Sequence, residues 1–474
     1  MQFMHCPAHV SAVIASLLIL VLARSHAMSQ SAAPSEEVIA DFEAAAVQQL
    51  ATARNAKAHV VIDASAPRGR SFLRLDLDAD AAEQGAYVRL DLKLNSGFAD
   101  RASLAAMLRA PDAPQRVQLR WLALDARGRP IFQRRFQLDP GEQWIQLDAP
   151  LRTWRWDNAR VADWDEVRGL ALRVESPAKR IELDELRLSG SETDEQRAQW
   201  LMDLAFRSHP RAFVLEDGLL VASDAQPALG KAELFRLLHD MRSARGFVRR
   251  VFGEAVQATD ELGPVTLLIF AGPLDEKAFY ERLGEQWQAE IRPPTQGGYS
   301  VQDIATSTYR AELGPRRPVY VHESVHAIVA RDLRLLTGHQ PHTPLQEGIA
   351  SYVQACVHPR SLSRRDLAAQ FVKPIDPAGK GLFKPLAMLF DSPVTTNQYA
   401  QLASVVAYLA ENDVELLRSL ARGLAEGQNA TRVLQSRGMS WEELQDAWLA
   451  WGQRRFAETS DDSTAPFQLP EEFR

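Results

Sequence analysis

The sequence predicts a multidomain protein in which an all-β sandwich is followed by an α+β domain with a helical C-terminal part. Three observations predict this architecture. Between residues 36 and 190, apolar and polar residues alternate in short runs, as in strands with one solvated face. Beyond residue 196 the apolar spacing changes to that of helices. A chain of 474 residues with 46% apolar content can also bury more than one ordinary core.

The first 27 residues are predicted to be an export signal. An apolar run at residues 10–23 is too short to span a bilayer, and Ser25-His26-Ala27 follows it as a small-x-small cleavage pattern. The absence of Lys and Arg before this run departs from the usual signal. No later run is long enough for a transmembrane helix, so we expect a periplasmic or secreted mature protein. The formal net charge of −7 is spread along the chain, which gives no case for nucleic-acid binding.

The sandwich prediction rests on runs with a period of two at residues 87–94, 117–124 and 181–188. The opening Ile39-Ala40-Asp41-Phe42-Glu43 and the run at 181–188 resemble the first and last strands of jelly-roll carbohydrate-binding and galactose-binding-like domains. That resemblance implies glycan as a candidate partner of exposed aromatic side chains. Core packing is the alternative role for the five tryptophans of this region, at positions 121, 144, 154, 156 and 164.

A polar stretch at residues 189–196 is predicted to link the two domains. In the second domain, strands are expected at residues 213–223, 264–270 and 299–309, with helices between them. Ser440-Trp441-Glu442-Glu443 is a capping box that predicts the start of a C-terminal helix. Residues 457–474 are predicted to be a mobile tail.

The chemistry of the second domain is indicated by His322-Glu323-Ser324-Val325-His326, an HExxH motif. On a helix, histidines at i and i+4 project from one face and can reach a single Zn²⁺ ion. Glu323 would lie beside them as a general base that accepts a proton from the attacking water. The alternative is a solvated helix face. The surrounding Val325, Ile328 and Val329 argue against it, because unpartnered charge among apolar residues is costly.

A tetrahedral catalytic zinc ion needs a third protein ligand, and Glu347 is the leading candidate. It lies 21 residues after His326, in a second apolar helix that follows a turn rich in Gly and Pro. His339 and His342, in the connecting loop, are the rival ligands. We therefore expect one Zn²⁺ per chain, bound by His322, His326 and Glu347.

The segments HESVHAIVARDL and PLQEGIASYV resemble the peptidase MA-like gluzincins over residues 195–456. The resemblance implies a zinc metallopeptidase with a peptide or protein substrate, and an edge strand at 299–309 that pairs with it. It also implies that Tyr399 donates a hydrogen bond to the oxyanion; an ordinary buried tyrosine is the alternative. Ser351 departs from the family pattern, in which an acidic residue four positions after the ligand glutamate supports a metal histidine.

The sequence therefore predicts an exported zinc metallopeptidase that uses Glu323 as its general base. Two alternatives stay open at this point. One is a weak or inactive gluzincin relative that binds glycan or protein in the cell envelope, and the intact Glu323 argues against it. The other is a zinc hydrolase that acts on a different amide.

Overall fold

The structure is a computed structural model of the chain. It describes residues 37–40, 42, 51–78, 86–91, 98, 101–157, 162–190, 192–207, 211–225, 229–256, 263–292, 297–310, 312, 319–372, 375, 383–456 and 466–468. The predicted export signal at residues 1–27 lies outside these ranges. Of the predicted tail, residues 466–468 are described, and there Phe467 is buried against Tyr352.

The N-terminal region contains twelve strands in its described part. They are β1 (Glu37–Ala40), β2 (Ala51–Arg54), β3 (Ala56–Ile62), β4 (Ser71–Leu77), β5 (Ala86–Asp91), β6 (Ser103–Ala110), β7 (Val117–Leu124), β8 (Pro130–Leu138), β9 (Gly141–Pro150), β10 (Arg155–Trp156), β11 (Gly169–Val174) and β12 (Arg180–Ser189). One antiparallel sheet has the order β3-β4-β12-β6-β9, with β1 also paired to β12. The other has the order β10-β8-β7-β11-β5-β2. The predicted β-sandwich is confirmed.

The tryptophans of the sandwich mostly belong to its core. Trp121, Trp154, Trp156 and Trp164 are buried, and the ring of Trp164 stacks on Phe132 with centroids 4.0 Å apart. These rings fill the space between the two inner faces, where large aromatic surfaces contribute most to burial.

Trp144 differs from the other four tryptophans, because it lies on the outer side of one sheet. Its indole N–H donates to the carbonyl oxygen of Ser65 at 2.8 Å, and the Arg109 guanidinium lies over its ring at 4.5 Å. Arg109 and Arg74 both pair with Glu182, whose side chain is almost fully buried.

The second region is built on a five-stranded mixed sheet with the order β13-β14-β15-β17-β16. Its strands are β13 (Ala212–Glu216), β14 (Leu219–Ser223), β15 (Val265–Phe270), β16 (Gly298–Val301) and β17 (Ile304–Thr308). The single strands predicted at 213–223 and 299–309 are each a hairpin instead. Asp217 and Gly218 both have positive φ, as a type I′ turn requires, and Gln302 has φ 55° in the second hairpin.

Eleven α-helices lie in the described part of this region. They are α1 (Asp194–Ala205), α2 (Lys231–Phe252), α3 (Pro273–Trp287), α4 (Val319–Leu333), α5 (Thr343–Val357), α6 (Arg364–Phe371), α7 (Leu386–Asp391), α8 (Tyr399–Asn412), α9 (Val414–Ala425), α10 (Ala430–Ser436) and α11 (Trp441–Phe456). One face of the sheet packs on α1 and α3, and the other packs on α2 and α4. Ser440 and Glu443 form the predicted capping box at the start of α11. Throughout the described residues, no helix combines the length and apolarity needed to cross a membrane.

The two regions meet at the C-terminal end of α4. Ala330 and Leu336 are buried in the same apolar cluster as the sandwich core. Arg334 forms ion pairs of 2.5 Å with both Asp163 and Glu166 of the sandwich. The sandwich therefore packs directly on the helix that carries the HExxH motif.

Candidate metal centre

Helix α4 presents both histidines of the motif on one face. Four apolar residues of this helix, Val321, Val325, Ile328 and Val329, are fully buried in the core of the second region. His322 and His326 are also buried, and their ring centroids lie 4.8 Å apart. The helical spacing of four residues thus brings the two imidazoles together, as the sequence predicts.

Helix α5 brings Glu347 to the same point. Its Oε2 atom lies 3.1 Å from Nε2 of His322 and 3.4 Å from Nε2 of His326, and the two Nε2 atoms are 3.1 Å apart. Two ligands of a tetrahedral zinc ion, each at about 2.0–2.1 Å from it, lie roughly 3.3 Å apart. The three ligand atoms thus have the spacing that one zinc ion requires, and the donor set of two imidazoles and a carboxylate suits a catalytic zinc site.

Electrostatics also favours an ionised Glu347. The charges of His326 and His322, together with their hydrogen bonds, outweigh burial and hold the pKa of the Glu347 carboxyl well below its usual range. A carboxylate that is ionised at neutral pH is available as a metal ligand.

Close packing of α5 on α8 helps to position the third ligand. A Cβ atom at Gly348 would lie 2.8 Å from Cγ2 of Val406 and 3.0 Å from the carbonyl oxygen of Leu402. Only a residue without a side chain lets the two backbones approach this closely. The Gly after Glu347 thereby brings α8 and its first residue, Tyr399, to the metal centre.

Tyr399 lies directly against the two ligands. Its ring stacks on that of His322 with centroids 5.3 Å apart and an interplanar angle of 17°. Burial, followed by the nearby carboxylates of Glu347 and Glu323 and a hydrogen bond to Glu347, raises the pKa of the Tyr399 phenol. The phenol therefore keeps its proton at neutral pH and can donate a hydrogen bond.

Glu323 lies beside the ligands and next to the edge of the sheet. Burial is the largest cause that raises the pKa of its carboxyl, to about 7, against the lowering effect of His322. Gly298, the first residue of the edge strand β16, packs on it, since a Cβ there would lie 2.4 Å from Cγ of Glu323. Such a pKa suits a group that must both accept and release a proton near neutral pH.

The rival histidines of the loop are not part of this cluster. His342 is buried, its Nδ1 accepts from the backbone N–H of Leu336 at 2.8 Å, and its Nε2 lies 3.0 Å from the carbonyl oxygen of Leu424. These two bonds require a neutral imidazole and occupy both of its nitrogens. His339 packs on His342 with ring centroids 4.6 Å apart. Both residues thus belong to the loop structure.

The support for the ligand imidazoles is incomplete. The Nδ1 atom of His326 is buried and has no hydrogen-bond partner among the residues that the structure describes. Ser351, on α5, is partly buried and forms no hydrogen bond to either ligand histidine. A metal-bound imidazole usually donates its other N–H to an acceptor, which fixes its tautomer.

A polar network next to Glu323 was not predicted from the sequence. Thr306 of β17 lies between Tyr280 and Glu276 of α3, and the Tyr280 hydroxyl is 2.8 Å from Oγ1 of Thr306. Tyr280 also donates to the carbonyl oxygen of Tyr299 in β16. The sequence separations within this network follow no motif, so only the register of β16 on β17 could have revealed it.

Solved structures of known proteins resemble about a third of this chain in fold. The family 11 carbohydrate-binding module from Clostridium thermocellum, solved with a β-1,3-1,4-mixed-linked tetrasaccharide, matches with 12% identity and a TM-score of 0.28. The match covers 34% of this chain and 98% of that one. The CBM22-1 xylan-binding domain from Paenibacillus barcinonensis Xyn10C matches with 14% identity over 34% of this chain and 99% of its own, with a TM-score of 0.25.

An exo-β-agarase matches with 14% identity over 36% of this chain and 26% of its own, with a TM-score of 0.29. No family model matches the sequence. No curated protein matches it either. Likeness at these identities and TM-scores carries no information about a ligand or an activity of this chain.

Proposed function

We propose that this chain is a zinc-dependent metallopeptidase of the gluzincin type, in which His322, His326 and Glu347 bind one Zn²⁺. The observation that carries the proposal is the convergence of the three ligand atoms, each within 3.4 Å of the other two, beside the carboxyl group of Glu323. A structural zinc site has no need of such a carboxyl group. A catalytic site requires one.

The residues around the three ligands have separate roles in this proposal. Zinc, when bound, would supply Lewis-acid chemistry to the substrate carbonyl and lower the pKa of water. Glu323 accepts the proton of the attacking water and passes it to the leaving amine. The protonated phenol of Tyr399 donates to the oxygen that becomes negatively charged in the tetrahedral intermediate.

The edge strand β16 supports an extended peptide as substrate. Among the described residues it pairs on one side only, with β17, and its first residue Gly298 contacts Glu323. A peptide that adds to the free side of this strand would gain main-chain hydrogen bonds and run past the general base. Main-chain pairing makes few demands on side chains, so peptides of varied sequence can bind in this way.

The proposal is tested with purified protein, as wild type and as Glu323→Gln. We expect one zinc ion per chain in both proteins, and peptide hydrolysis that is about 10²–10⁴-fold slower in the variant, the usual contribution of a general base. Glu281→Gln, on the exposed side of α3, is the matched control and should hydrolyse like wild type. Wild-type rates in Glu323→Gln would contradict the role of Glu323.

The second candidate function is that of a weak or inactive gluzincin relative that binds glycan or protein in the cell envelope. The Nδ1 atom of His326, which has no hydrogen-bond partner in the described part of the chain, favours it, because a poorly supported ligand loosens the metal or slows turnover. Zinc binding without hydrolysis of any peptide would support this candidate. A zinc hydrolase acting on another amide would instead hydrolyse non-peptide amides and lose that activity in Glu323→Gln.

The proposal includes export, with cleavage after Ala27 and a periplasmic or secreted mature protein. N-terminal sequencing of the protein recovered from the periplasm or the medium would check it. A mature chain that begins at Met28 is the expected result, and a chain that retains residues 1–27 would contradict it.

A further inference from the structure

Glu276 is a half-buried carboxylate close to the metal centre that the proposed mechanism does not use. It lies in the first turn of α3, and one oxygen accepts from the Thr308 hydroxyl at 2.9 Å while the other bonds that of Thr306. Among the described residues it has no cationic partner. The neighbouring Lys277 lies instead on the exposed side of the helix with Glu281.

Two other buried carboxylates of this protein are neutralised by arginines. Glu182 pairs with two arginines in the sandwich, and Asp332 pairs with Arg245 and Arg249. An ionised carboxylate in protein surroundings is costly without such a partner, and burial accordingly raises the pKa of Glu276. A bound cation would remove this cost.

The sheet register places Glu276 beside the peptide path of the proposed function. Tyr299 of the edge strand is directly opposite Thr306, so their side chains share the face that α3 covers. Gly298, the next residue along, faces α4 and contacts Glu323. Glu276 and Glu323 thus flank the same end of β16 from opposite faces of the sheet, close enough that the charge of Glu276 raises the pKa of Glu323.

An extended peptide paired with β16 directs alternate side chains to opposite faces of the sheet. Side chains on the α4 face approach the three metal ligands. Side chains on the other face approach Tyr299 and the Glu276 carboxylate. A lysine or arginine is long enough to place its cation there while its methylene stem covers the tyrosine ring.

We propose that Glu276 is a specificity-determining residue that binds the cationic side chain of a lysine or arginine within one or two residues of the cleaved bond. This inference rests on the proposed peptidase function. It names basic peptides as the preferred substrate class, and it assigns the selection to the face of the sheet opposite the metal helix.

The experiment compares three decapeptides that carry Lys, Leu or Glu at one scanned position near the cleaved bond. We expect wild type to cleave the Lys peptide with a kcat/KM about tenfold above that of the Leu peptide, an effect of about 1.4 kcal/mol. Glu276→Gln should abolish this preference. Because the loss of its charge beside Glu323 acts on both peptides alike, the ratio of the two kcat/KM values is the readout. The variant's amide oxygen can accept from one threonine hydroxyl while its NH₂ donates to the other, so the fold is retained. Glu281→Gln is the control and should keep the preference.

A second measurement separates binding from turnover. Zinc-loaded Glu323→Gln is titrated with the fluorescein-labelled Lys and Leu peptides, and the double variant with Glu276→Gln is compared by fluorescence anisotropy. A tenfold tighter Kd for the Lys peptide that disappears in the double variant supports the inference. Equal Kd values for the two peptides, or a preference that survives Glu276→Gln, would overturn it. Selective binding by Glu323→Gln that is lost in the double variant, with no hydrolysis by wild type, would overturn the peptidase function and leave the cation site standing.

Discussion

The two halves of helix α4 differ in whether their charged side chains are paired. In the C-terminal half, Arg331 pairs with Asp303 at 3.1 Å, and Asp332 forms two hydrogen bonds of 3.0 Å with Arg245 and one of 3.0 Å with Arg249. In the N-terminal half, the Glu323 carboxyl forms no ion pair or hydrogen bond among the residues that the structure describes, and only the charge of His322 lowers its pKa.

One helix thus has two roles, with its C-terminal half as the anchor and its N-terminal half as the proposed reaction site. Buried pairs in the C-terminal half fix α4 against the sheet and α2, and breaking such a pair is expensive because it leaves an uncompensated charge. That anchorage holds the polar groups of the N-terminal half in place, and in the proposed function a metal ion and a substrate would meet their electrostatic requirements. Substitutions in the two halves should therefore separate stability from metal binding and turnover.

The largest expected effect is in the N-terminal half. His322→Ala or Glu347→Ala should reduce the zinc content from one per chain to near zero and abolish hydrolysis, because two remaining ligands hold zinc poorly. Metal analysis after dialysis measures this. His339→Ala is the control and should keep its zinc. Equal zinc in wild type and Glu347→Ala would refute the ligand assignment.

In the C-terminal half, Asp332→Asn should lower the free energy of unfolding by about 3–5 kcal/mol, since it leaves the buried Arg245 guanidinium without its counterion. Urea denaturation measures the loss, and zinc content at low temperature should be unchanged. Asp446→Asn, at an exposed position of α11, should change stability by less than about 0.5 kcal/mol. If zinc binding fell while stability did not, the assignment of anchorage to the C-terminal half and metal binding to the N-terminal half would be wrong.

The structural histidine of the loop, His342, makes the free energy of unfolding depend on pH. Burial is the main cause that lowers the pKa of His342 to about 4. Below pH 6.5 and above pH 4, His342 binds a proton in the unfolded chain but not in the folded protein. His342 therefore contributes about 3 kcal/mol to the free energy of unfolding above pH 6.5, and this contribution is lost as the pH falls toward 4.

Urea midpoints between pH 7 and 4 should fall more steeply for wild type than for His342→Gln. Parallel curves would show that His342 is not the group responsible.

The smallest effect is expected for Tyr399→Phe. Removal of one donor to the oxyanion should slow kcat by about 10² while zinc content is retained. The stacking on His322 survives in phenylalanine, so a loss of metal would indicate a structural role instead. A rate within threefold of wild type would identify Tyr399 as an ordinary buried tyrosine.

The residues that could be predicted from the sequence are those whose positions relative to one another follow from helix spacing or from a sequence motif. His322 and His326 lie four residues apart on one helix, so their convergence follows from helix geometry alone. The apolar helix of Glu347 and the short loop before it predict its position, and the structure brings its carboxylate to both imidazoles. The sandwich was indicated by alternating runs, because one face of each strand is buried.

The features that were missed depend on turns and on strand register. The Asp217-Gly218 turn lies between two apolar runs, which together have the appearance of one strand. The Thr193 capping box at the start of α1 was hidden in a polar stretch predicted as a linker. Glu276 is tied to the site only through Thr306 and the pairing of β16 with β17, and no spacing along the chain encodes that contact.

The junction at the end of α4 has an evolutionary consequence. A chain that exchanged this sandwich for another module by recombination within residues 189–196 would lose both carboxylates that pair with Arg334, and the apolar cover of Ala330 and Leu336 as well. The new module would have to supply both at once. The polar stretch is therefore a poor point for domain shuffling, and the two halves of this protein are expected to be inherited together.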